Sequence, residues 1–294
     1  MFFFLLLVRW INSIPEIQME VFIDNYILLL SEILASDLTM YDSSFLKRTV
    51  ESRMAAQAIN TYPLYVQKLE IDENEREMLR RALNNSYSEF FRNPLTFDYL
   101  EYILLPSVYD EKKRRQEKEI RIWSAACASG QEAYSLAILC NELLSKKSAD
   151  IKCRIFATDH CEDQIENARK GIYNMQNIGK VSLERFRKYF EPSGKSDEYG
   201  VISPLIAMID FSVFDLLSLA GSSPPSSIYG NFDIVFCSNL LFYYKPDIQQ
   251  LIFEKLDKNL NKEGFLATGE AEREIVKARK YSEIFPNSTI FQKR

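Results

Sequence analysis

The chain has 294 residues and carries 36 Lys and Arg against 41 Asp and Glu, a net charge of −5, with 47% hydrophobic residues. This balance is typical of a globular protein of one large or two ordinary domains, and without a basic stripe nucleic acid is not an expected partner. His160 is the one histidine and only 9 glycines are present, which argues against histidine-based metal sites and glycine-rich phosphate loops. We therefore expect chemistry that needs neither a metal nor an imidazole base.

The chain opens on an apolar run, MFFFLLLV, over residues 1–8. The run is far shorter than the ~20 residues of a membrane span. It also lacks the basic start and the A-x-A-like end of a signal peptide. We interpret residues 1–15 as an apolar N-terminal extension, with a peripheral membrane contact as the alternative. The five cysteines show no C-x-x-C spacing, which favours reduced thiols in a cytoplasmic protein.

Residues 16–105 have the pattern of an all-α domain. Leu46, Val50 and Met54 recur every fourth residue and predict a helix over 45–58 with one buried face. The basic residues that fall outside this stripe, and are expected on the solvent side, are Lys47, Arg48 and Arg53. The other predicted helices cover residues 18–35, 62–70, 73–85 and 95–105.

A charged run, EKKRRQEK, covers residues 111–118 just after Pro106. It separates parts of different charge, since residues 1–110 carry a net −7 and the remainder a net +2. Charge runs of this kind are usually solvated linkers or helix faces. We interpret residues 106–119 as a charged linker between two domains.

Residues 120–294 alternate short apolar runs with helical stretches. This alternation predicts an α/β domain whose mostly parallel sheet is covered by helices on both faces. The predicted strands are 120–123, 154–158, 234–237 and 264–268, and the predicted helices are 132–144, 161–170 and 247–260. Short strands and turn residues at 189–190, 199–202 and 208–211 interrupt the alternation, which predicts a small antiparallel β insertion at about 186–212.

The strand ends of this domain carry the candidate site. Ligands of open α/β sheets bind beyond the carboxyl ends of the strands. The first strand runs into small residues that let a ligand approach the backbone and that lead to Glu132, and the second ends at Asp159. A carboxylate there can accept hydrogen bonds from ribose hydroxyls, so the pattern indicates a nucleoside site, with ordinary turn composition as the alternative. Asp215-Leu216 and Ser238-Asn239 follow two further strands.

Four motifs occur in order along the chain. They are SYSEFFR at 86–92, IWSAACASGQEAYS at 122–135, ATD at 157–159 followed by ARKGIY at 168–173, and FDIVFCSNLLFYY at 232–244. Together they resemble the chemotaxis-receptor glutamate O-methyltransferases, the CheR family. The resemblance extends from about residue 28 to 285, and FLKR at 45–48 also fits the N-terminal domain of that family.

The resemblance implies a Rossmann-like methyltransferase domain preceded by an all-α domain, with S-adenosyl-L-methionine (SAM) as cofactor and S-adenosyl-L-homocysteine (SAH) as product. It implies an enzyme that forms glutamyl methyl esters on the cytoplasmic helices of chemoreceptors. The parts expected to face the receptor are Lys47, Arg48, Arg53 and the β insertion. We expect a cytoplasmic monomer without a transmembrane segment.

Carried over by position, the resemblance gives Arg92 and Tyr243 catalytic roles: Arg92 places the carboxylate or the cofactor, and Tyr243 shapes the methyl channel. A surface salt bridge is the alternative role for Arg92. The cofactor contacts that the resemblance implies are Ser86, Ser88, Arg92, Glu132, Asp159, Asp215, Leu216, Ser238 and Asn239. A glutamate substrate is already an anion at neutral pH, so the transfer needs no general base.

The chain departs from the family pattern at four of these positions. Ser238 stands where Arg is usual, Asp215 and Ser86 where Asn is usual, and Ser88 where Thr is usual. The loss of a charge-assisted hydrogen bond typically costs ~1.5–3 kcal/mol, so weaker cofactor binding is expected. Two alternatives therefore stay open: a catalytically weakened regulatory or scaffold protein that binds SAM or SAH, and a methyltransferase for a different carboxylate.

Overall fold

The computed structural model describes residues 19–84, 88–147, 150–218, 221–227, 229–279 and 281–293. Its contacts divide the chain into two compact units, the first made of Met1–Asn85 with Tyr243–Ile248 and the second of Ser86–Phe242 with Gln249–Arg294. The predicted extension over residues 1–15 lies outside the described residues, and so does Ser86.

The first unit is helical, as the sequence predicts. Its helices are Met19–Leu34, Ser43–Ala56, Tyr62–Ile71 and Glu73–Leu83. The predicted apolar stripe of the second helix is buried in the core of the unit and comprises Leu46, Val50 and Met54. A short segment from far along the chain also belongs here: the Tyr243 ring lies 4.7 Å from that of Phe45, and Tyr244 pairs with Tyr41 through an antiparallel bridge.

Arg53 corrects one expectation about this helix. Lys47 and Arg48 are exposed, as predicted, but the guanidinium of Arg53 binds Glu75, with Nε to Oε1 at 3.0 Å and Nη2 to Oε2 at 2.6 Å. The Glu75 side chain is only 2% exposed and also accepts a hydrogen bond from the Tyr65 hydroxyl at 2.7 Å. Arg53 therefore ties two helices together and is withdrawn from the predicted solvent face.

Within the described ranges, the second unit contains ten strands. They are β1 Glu119–Ala125, β2 Lys152–Asp159, β3 Ile172–Asn174, β4 Phe190–Pro192, β5 Glu198–Val201, β6 Ile209–Val213, β7 Phe232–Phe236, β8 Leu260–Ala267, β9 Tyr281–Glu283 and β10 Ile290–Lys293. Seven form the main sheet in the order β6-β2-β1-β7-β8-β10-β9. The first five of these run parallel, and β10 is antiparallel to both of its neighbours.

The order of the main sheet reverses between β1 and β7. From β1 the chain moves outward to β2 and β6, and it then returns to place β7 on the other side of β1, with Trp123 opposite Val235. All of β7 is buried, and so is β1 from Ile122 to Ala125, so both faces of the sheet are covered where these two strands pair. The carboxyl ends of β1 and β7 thus form a topological switch point, where open α/β sheets bind ligands.

Helices connect and flank these strands. They are Pro94–Tyr99, Leu105–Arg114, Gln131–Lys146, Glu162–Lys170, Met175–Ile178, Leu183–Tyr189, Ser203–Ile206, Pro246–Asn259 and Arg273–Lys277, with a π turn at Leu100–Leu104 and 3-10 turns at Leu241–Tyr243 and Glu270–Glu272. The alternation of strands and helices confirms the predicted α/β class.

The charged run interpreted as a linker, residues 106–119, lies mostly in a helix of the second unit. Leu105, Val108 and Tyr109 pack into the core of that unit, and Lys112 is also buried and pairs with Asp233 at 2.8 Å. Most of the other charges of the run are exposed. The π turn ends just before Pro106, which lacks the N–H that a regular helix would use at that point. The first boundary between the two units falls between Asn85 and Ser86 instead.

The small sheet also differs from its prediction in two strands. It has three antiparallel strands in the order β3-β5-β4, of which the predicted insertion at 186–212 contains β4 and β5. The prediction missed β3 and wrongly included β6. That strand belongs to the main sheet, where it pairs in parallel with β2 and Phe211 lies opposite Ala157. A short apolar run has the same pattern in either sheet, and only its pairing partner decides between them.

Candidate functional site

Most of the predicted site residues gather at one edge of the second unit, beyond the carboxyl ends of the parallel strands. In sheet order they are Asp215 and Leu216 after β6, Asp159 at the end of β2, Glu132 after β1, and Ser238 and Asn239 after β7. The fold therefore brings together residues that lie far apart in the sequence.

The loop after β1 makes a tight series of turns. Ala126, Ala128 and Gly130 have positive φ values of 60°, 48° and 91°. This left-handed conformation is unfavourable for residues with a Cβ atom, and bulky side chains tolerate it least. A Cβ on Gly130 would lie 2.8 Å from that of Ala168. Small residues are thus required here.

Asp159 is 5% exposed and is fixed by the backbone on both sides. Its Oδ2 accepts the N–H of Ala128 at 2.9 Å, and its Oδ1 accepts the N–H of Cys161 at 3.0 Å. His160 Nδ1 lies 3.4 Å from the same Oδ1. Each carboxylate oxygen has two lone pairs. Asp159 therefore keeps the capacity to accept further hydrogen bonds, such as those of a pair of ribose hydroxyls.

Glu132 lies in the first turn of the helix that follows this loop and is half-buried. Its Oε1 accepts a hydrogen bond from the Ser124 hydroxyl at 2.7 Å. Burial raises the pKa of Glu132 to about 8, and the negative charge of Glu272 adds to this effect, while the Ser124 bond and the positive charge of Arg92 oppose it. A cation bound beside Glu132 would offset the cost of burying this carboxylate.

Arg92 is presented by a strained turn and does not lie on a helix surface. The residues on either side, Phe91 and Asn93, have φ values of 49° and 60°. Left-handed non-glycine residues cost ~1–3 kcal/mol each and cluster at functional sites. The Phe91 N–H donates to Ser135 Oγ at 3.0 Å, on the same helix as Glu132. This anchor and the electrostatic effect of Arg92 on Glu132 indicate that the two residues lie near each other.

The remaining predicted residues differ in exposure. Ser238 and Asn239 are half-buried, and Asn239 Nδ2 donates to Ser238 Oγ at 2.5 Å. Asp215 is exposed, and its Oδ1 accepts the N–H of Leu217 at 2.8 Å, whereas Leu216 is buried. All four backbone positions stand at the same sheet edge.

Three predicted site residues do not follow one of the parallel strands of the main sheet in this way. Ser88 is half-buried and comes shortly before Arg92. Ser86 lies outside the described residues. Tyr243 belongs to the first unit, where its ring packs against Phe45.

Sequence reasoning missed Glu272, which is fully buried at the same edge, beyond β8. It stands three residues after Gly269, in the 3-10 turn that follows the strand. The available signal was an acidic residue shortly after the last predicted parallel strand. Asp159 has a comparable position at the end of β2.

Comparisons with known proteins agree with this geometry. Residues 86–290 match the family model described as CheR methyltransferase, SAM binding domain. Chemotaxis protein methyltransferase 1 of Pseudomonas aeruginosa is 30% identical over 223 residues, which cover 74% of this chain and 78% of that protein. The chemotaxis protein methyltransferases of Borreliella burgdorferi and Salmonella typhimurium are 26% and 28% identical, covering 77% and 78% of this chain and 80% and 76% of theirs.

The parallel sheet, its switch point lined with carboxylates and the matched SAM-binding domain define a SAM-dependent methyltransferase of Rossmann-like fold. SAM is its cofactor. The chain belongs to the CheR methyltransferase family, which confirms the family that the four motifs predicted.

Two further properties concern the described ranges. No helix in them is long and apolar enough to cross a membrane. Nor do three or more His, Cys, Asp or Glu side chains come together in those ranges in a way that could hold a metal ion.

Proposed function

We propose that this protein transfers the methyl group of SAM to glutamate side chains on the cytoplasmic helices of chemoreceptors, and that it does so in the cytoplasm. The names of its relatives as chemotaxis protein methyltransferases support this role. The observation that carries the proposal is a half-buried carboxylate, Glu132, at the switch point, close enough to Arg92 for the positive charge of Arg92 to lower its pKa. The carboxylate of Glu132 suits a cationic group of the cofactor, and the guanidinium of Arg92 suits an anionic acceptor.

The residues present fit SAM. Glu132 would hold its ammonium group, because a cation offsets the burial that raises the pKa of this carboxyl. Asp159 would accept its ribose hydroxyls with the lone pairs that the backbone leaves unused. The residues proposed to flank the adenosyl and methionine parts are Ser86, Ser88, Asp215, Leu216, Ser238 and Asn239. The role of Tyr243 beside the methyl group stays a prediction from the resemblance.

The acceptor needs orientation more than activation. A glutamate carboxylate has a reference pKa near 4.3, so it is an anion at neutral pH and gives up no proton in the reaction. Arg92 would hold it by charge-assisted hydrogen bonds and direct one oxygen toward the methyl carbon. When bound, SAM supplies a methyl group on a sulfonium, whose sulfur keeps the bonding electron pair as SAH leaves. The C–O bond of the ester forms as the C–S bond breaks.

Methyl-labelled SAM and a panel of purified chemoreceptor cytoplasmic fragments test this function. We expect label on receptor glutamates, released as methanol by mild base because esters hydrolyse and amides do not. Receptor fragments with glutamine at the labelled positions serve as the control. Binding of SAH without base-labile label on any fragment would contradict the proposal.

A second candidate is a regulatory or scaffold protein that binds SAM or SAH without turnover. Ser238 favours it, because this residue lacks the charge of the arginine usual in the family. The same assay on the Ser238→Arg variant distinguishes the two functions. Transfer by the wild-type protein supports the enzyme, and transfer gained only in the variant supports the regulator. Base-labile label on a small acid alone would identify a different carboxylate as the substrate.

A further inference from the structure

The carboxylate of Glu272 accepts hydrogen bonds from four backbone N–H groups. Its Oε1 accepts from Leu240 and Leu241, each at 2.6 Å. Its Oε2 accepts from Asn239 and Gly269, each at 2.8 Å. The side chain is fully buried. A single residue thus holds the loop after β7 and the turn after β8 together at the edge where the cofactor site lies.

The loop after β7 depends on this carboxylate for its shape. Between the end of β7 and the turn Leu241–Tyr243 the backbone forms neither strand nor helix, and Asn239 has a left-handed φ of 61°. Its N–H groups therefore have no partner from regular secondary structure, and a buried N–H without an acceptor is costly. Glu272 satisfies three of them in succession, and Ser238 lies next to the first.

A glutamate is the side chain that this arrangement requires. Each carboxylate oxygen can accept two N–H donors, and charge-assisted hydrogen bonds are about twice as strong as neutral ones. A glutamine has nearly the same shape, but its NH₂ group would face two N–H donors. The exchange of Glu272 for Gln therefore breaks two of the four hydrogen bonds with almost no change in volume.

We propose that Glu272 is a positioning residue for cofactor binding: it fixes the loop after β7 so that Ser238 and Asn239 hold SAM. The proposal rests on the cofactor contacts assigned to these two residues in the proposed function. Glu272 acts through the backbone and does not contact the reacting atoms. Its loss weakens binding of the ground state and the transition state alike, which raises the KM for SAM and leaves kcat little changed.

Calorimetric titration with SAH tests the proposal on Glu272→Gln. We expect the Kd to rise by about tenfold or more, since two charge-assisted bonds to the loop are lost. Glu283→Gln is the control for lost stability, because Glu283 is also buried, with 8% exposure of its side chain, but pairs with Arg273. Glu270→Gln removes an exposed charge from the same turn as Glu272. Both controls are expected to bind SAH like the wild type.

A Kd for Glu272→Gln within about twofold of the wild type, or an equal rise in Glu283→Gln, would overturn the proposal. If Glu272→Gln does not fold, hydrogen exchange in the wild-type protein tests whether Glu272 holds the loop after β7. The N–H groups of Asn239, Leu240 and Leu241 should exchange as slowly as those of the strands, and exchange at the rate of exposed loops would overturn it.

SAH binding requires no methyl acceptor, so this test is independent of the substrate. Weaker SAH binding by Glu272→Gln together with unlabelled receptors would contradict the proposed function and support the role of Glu272. Labelled receptors together with unchanged SAH binding by Glu272→Gln would support the proposed function and contradict the role of Glu272.

Discussion

Among single residues, Glu132 gives the clearest expectation about pH. Burial raises its pKa to about 8, so in the free protein this side chain is mostly neutral at pH 7. A bound ammonium group favours the ionised form, and binding below pH 8 therefore releases a proton. We expect the affinity for SAM to increase with pH, by at most about tenfold per unit between pH 6 and 8, and then to level off.

Calorimetric titration with SAM at several pH values checks this expectation on the wild type and on Glu132→Gln. The variant keeps the shape of the side chain but cannot ionise, so its remaining pH dependence belongs to the ligand. The wild-type protein should show the steeper dependence and, near pH 8, the tighter binding. Equal slopes in the two proteins would remove Glu132 from the ammonium site.

Arg92→Ala tests the other charge of the site. We expect kcat/KM for receptor methylation to fall by about 10- to 150-fold, the equivalent of one or two charge-assisted hydrogen bonds. The melting temperature should change little, because Phe91 anchors the turn through its backbone N–H. Arg81→Ala is the control, since its side chain is 72% exposed and pairs with Glu77. Turnover close to that of the wild type would refute the role of Arg92.

Residue types alone could identify Glu132 and Asp159, because each follows a strand within a motif of small residues. For Glu272 they offered only an acidic residue shortly after a strand, without its role. Its importance comes from backbone N–H groups of two loops that converge on it, and no side-chain pattern records where those groups point.

At the scale of elements, the Arg53–Glu75 pair joins the helices Ser43–Ala56 and Glu73–Leu83. Arg53→Ala leaves a buried carboxylate without its cation, and the loss of one partner of a buried pair costs about 3 kcal/mol or more. Urea unfolding followed by circular dichroism measures the free energy of unfolding. Arg48→Ala, on the exposed face of the same helix, should change it by less than ~0.5 kcal/mol. Equal effects in the two variants would contradict this assignment.

The exposed face that carries Lys47 and Arg48 gives a separate expectation about the receptor. If it faces an acidic helix, the double substitution Lys47→Glu and Arg48→Glu should raise the KM for receptor fragments several-fold at low ionic strength. Added salt should reduce the difference, because exposed charges more than ~10 Å apart are screened at 0.1 M. The Kd for SAM is the internal control and should not change. A salt-independent KM would contradict the proposed face.

The strands were predictable from sequence where an apolar run coincides with a buried environment. The strands β1, β2, β7 and β8 each contain a short apolar run that is largely buried, and each was predicted within a few residues. The strand β3 has three residues and no pattern of its own. The strand β6 was recognised but assigned to the wrong sheet, since its pairing with β2 is a long-range contact that local sequence does not encode.

At the scale of the whole molecule, the sequence indicated a helical part and an α/β part but not where the chain divides. The charged run at 106–119 suggested a linker because most of its residues are charged, but its apolar residues are buried in the core of the second unit. The membership of Tyr243–Ile248 in the first unit could not be inferred either. It depends on contacts such as the hydrogen bond from the Asp42 N–H to the Tyr243 carbonyl, at 2.8 Å.

This last contact sets a condition on the order of folding during synthesis. The helices of the first unit leave the ribosome long before Tyr243 is made, so the rings of Tyr41 and Phe45 must wait for their partners until most of the sheet has been translated. Contacts between such distant parts of a chain form slowly and leave apolar surface exposed in the meantime. A premature stop before residue 243 would thus damage both ends of the protein, including helices whose own sequence is complete.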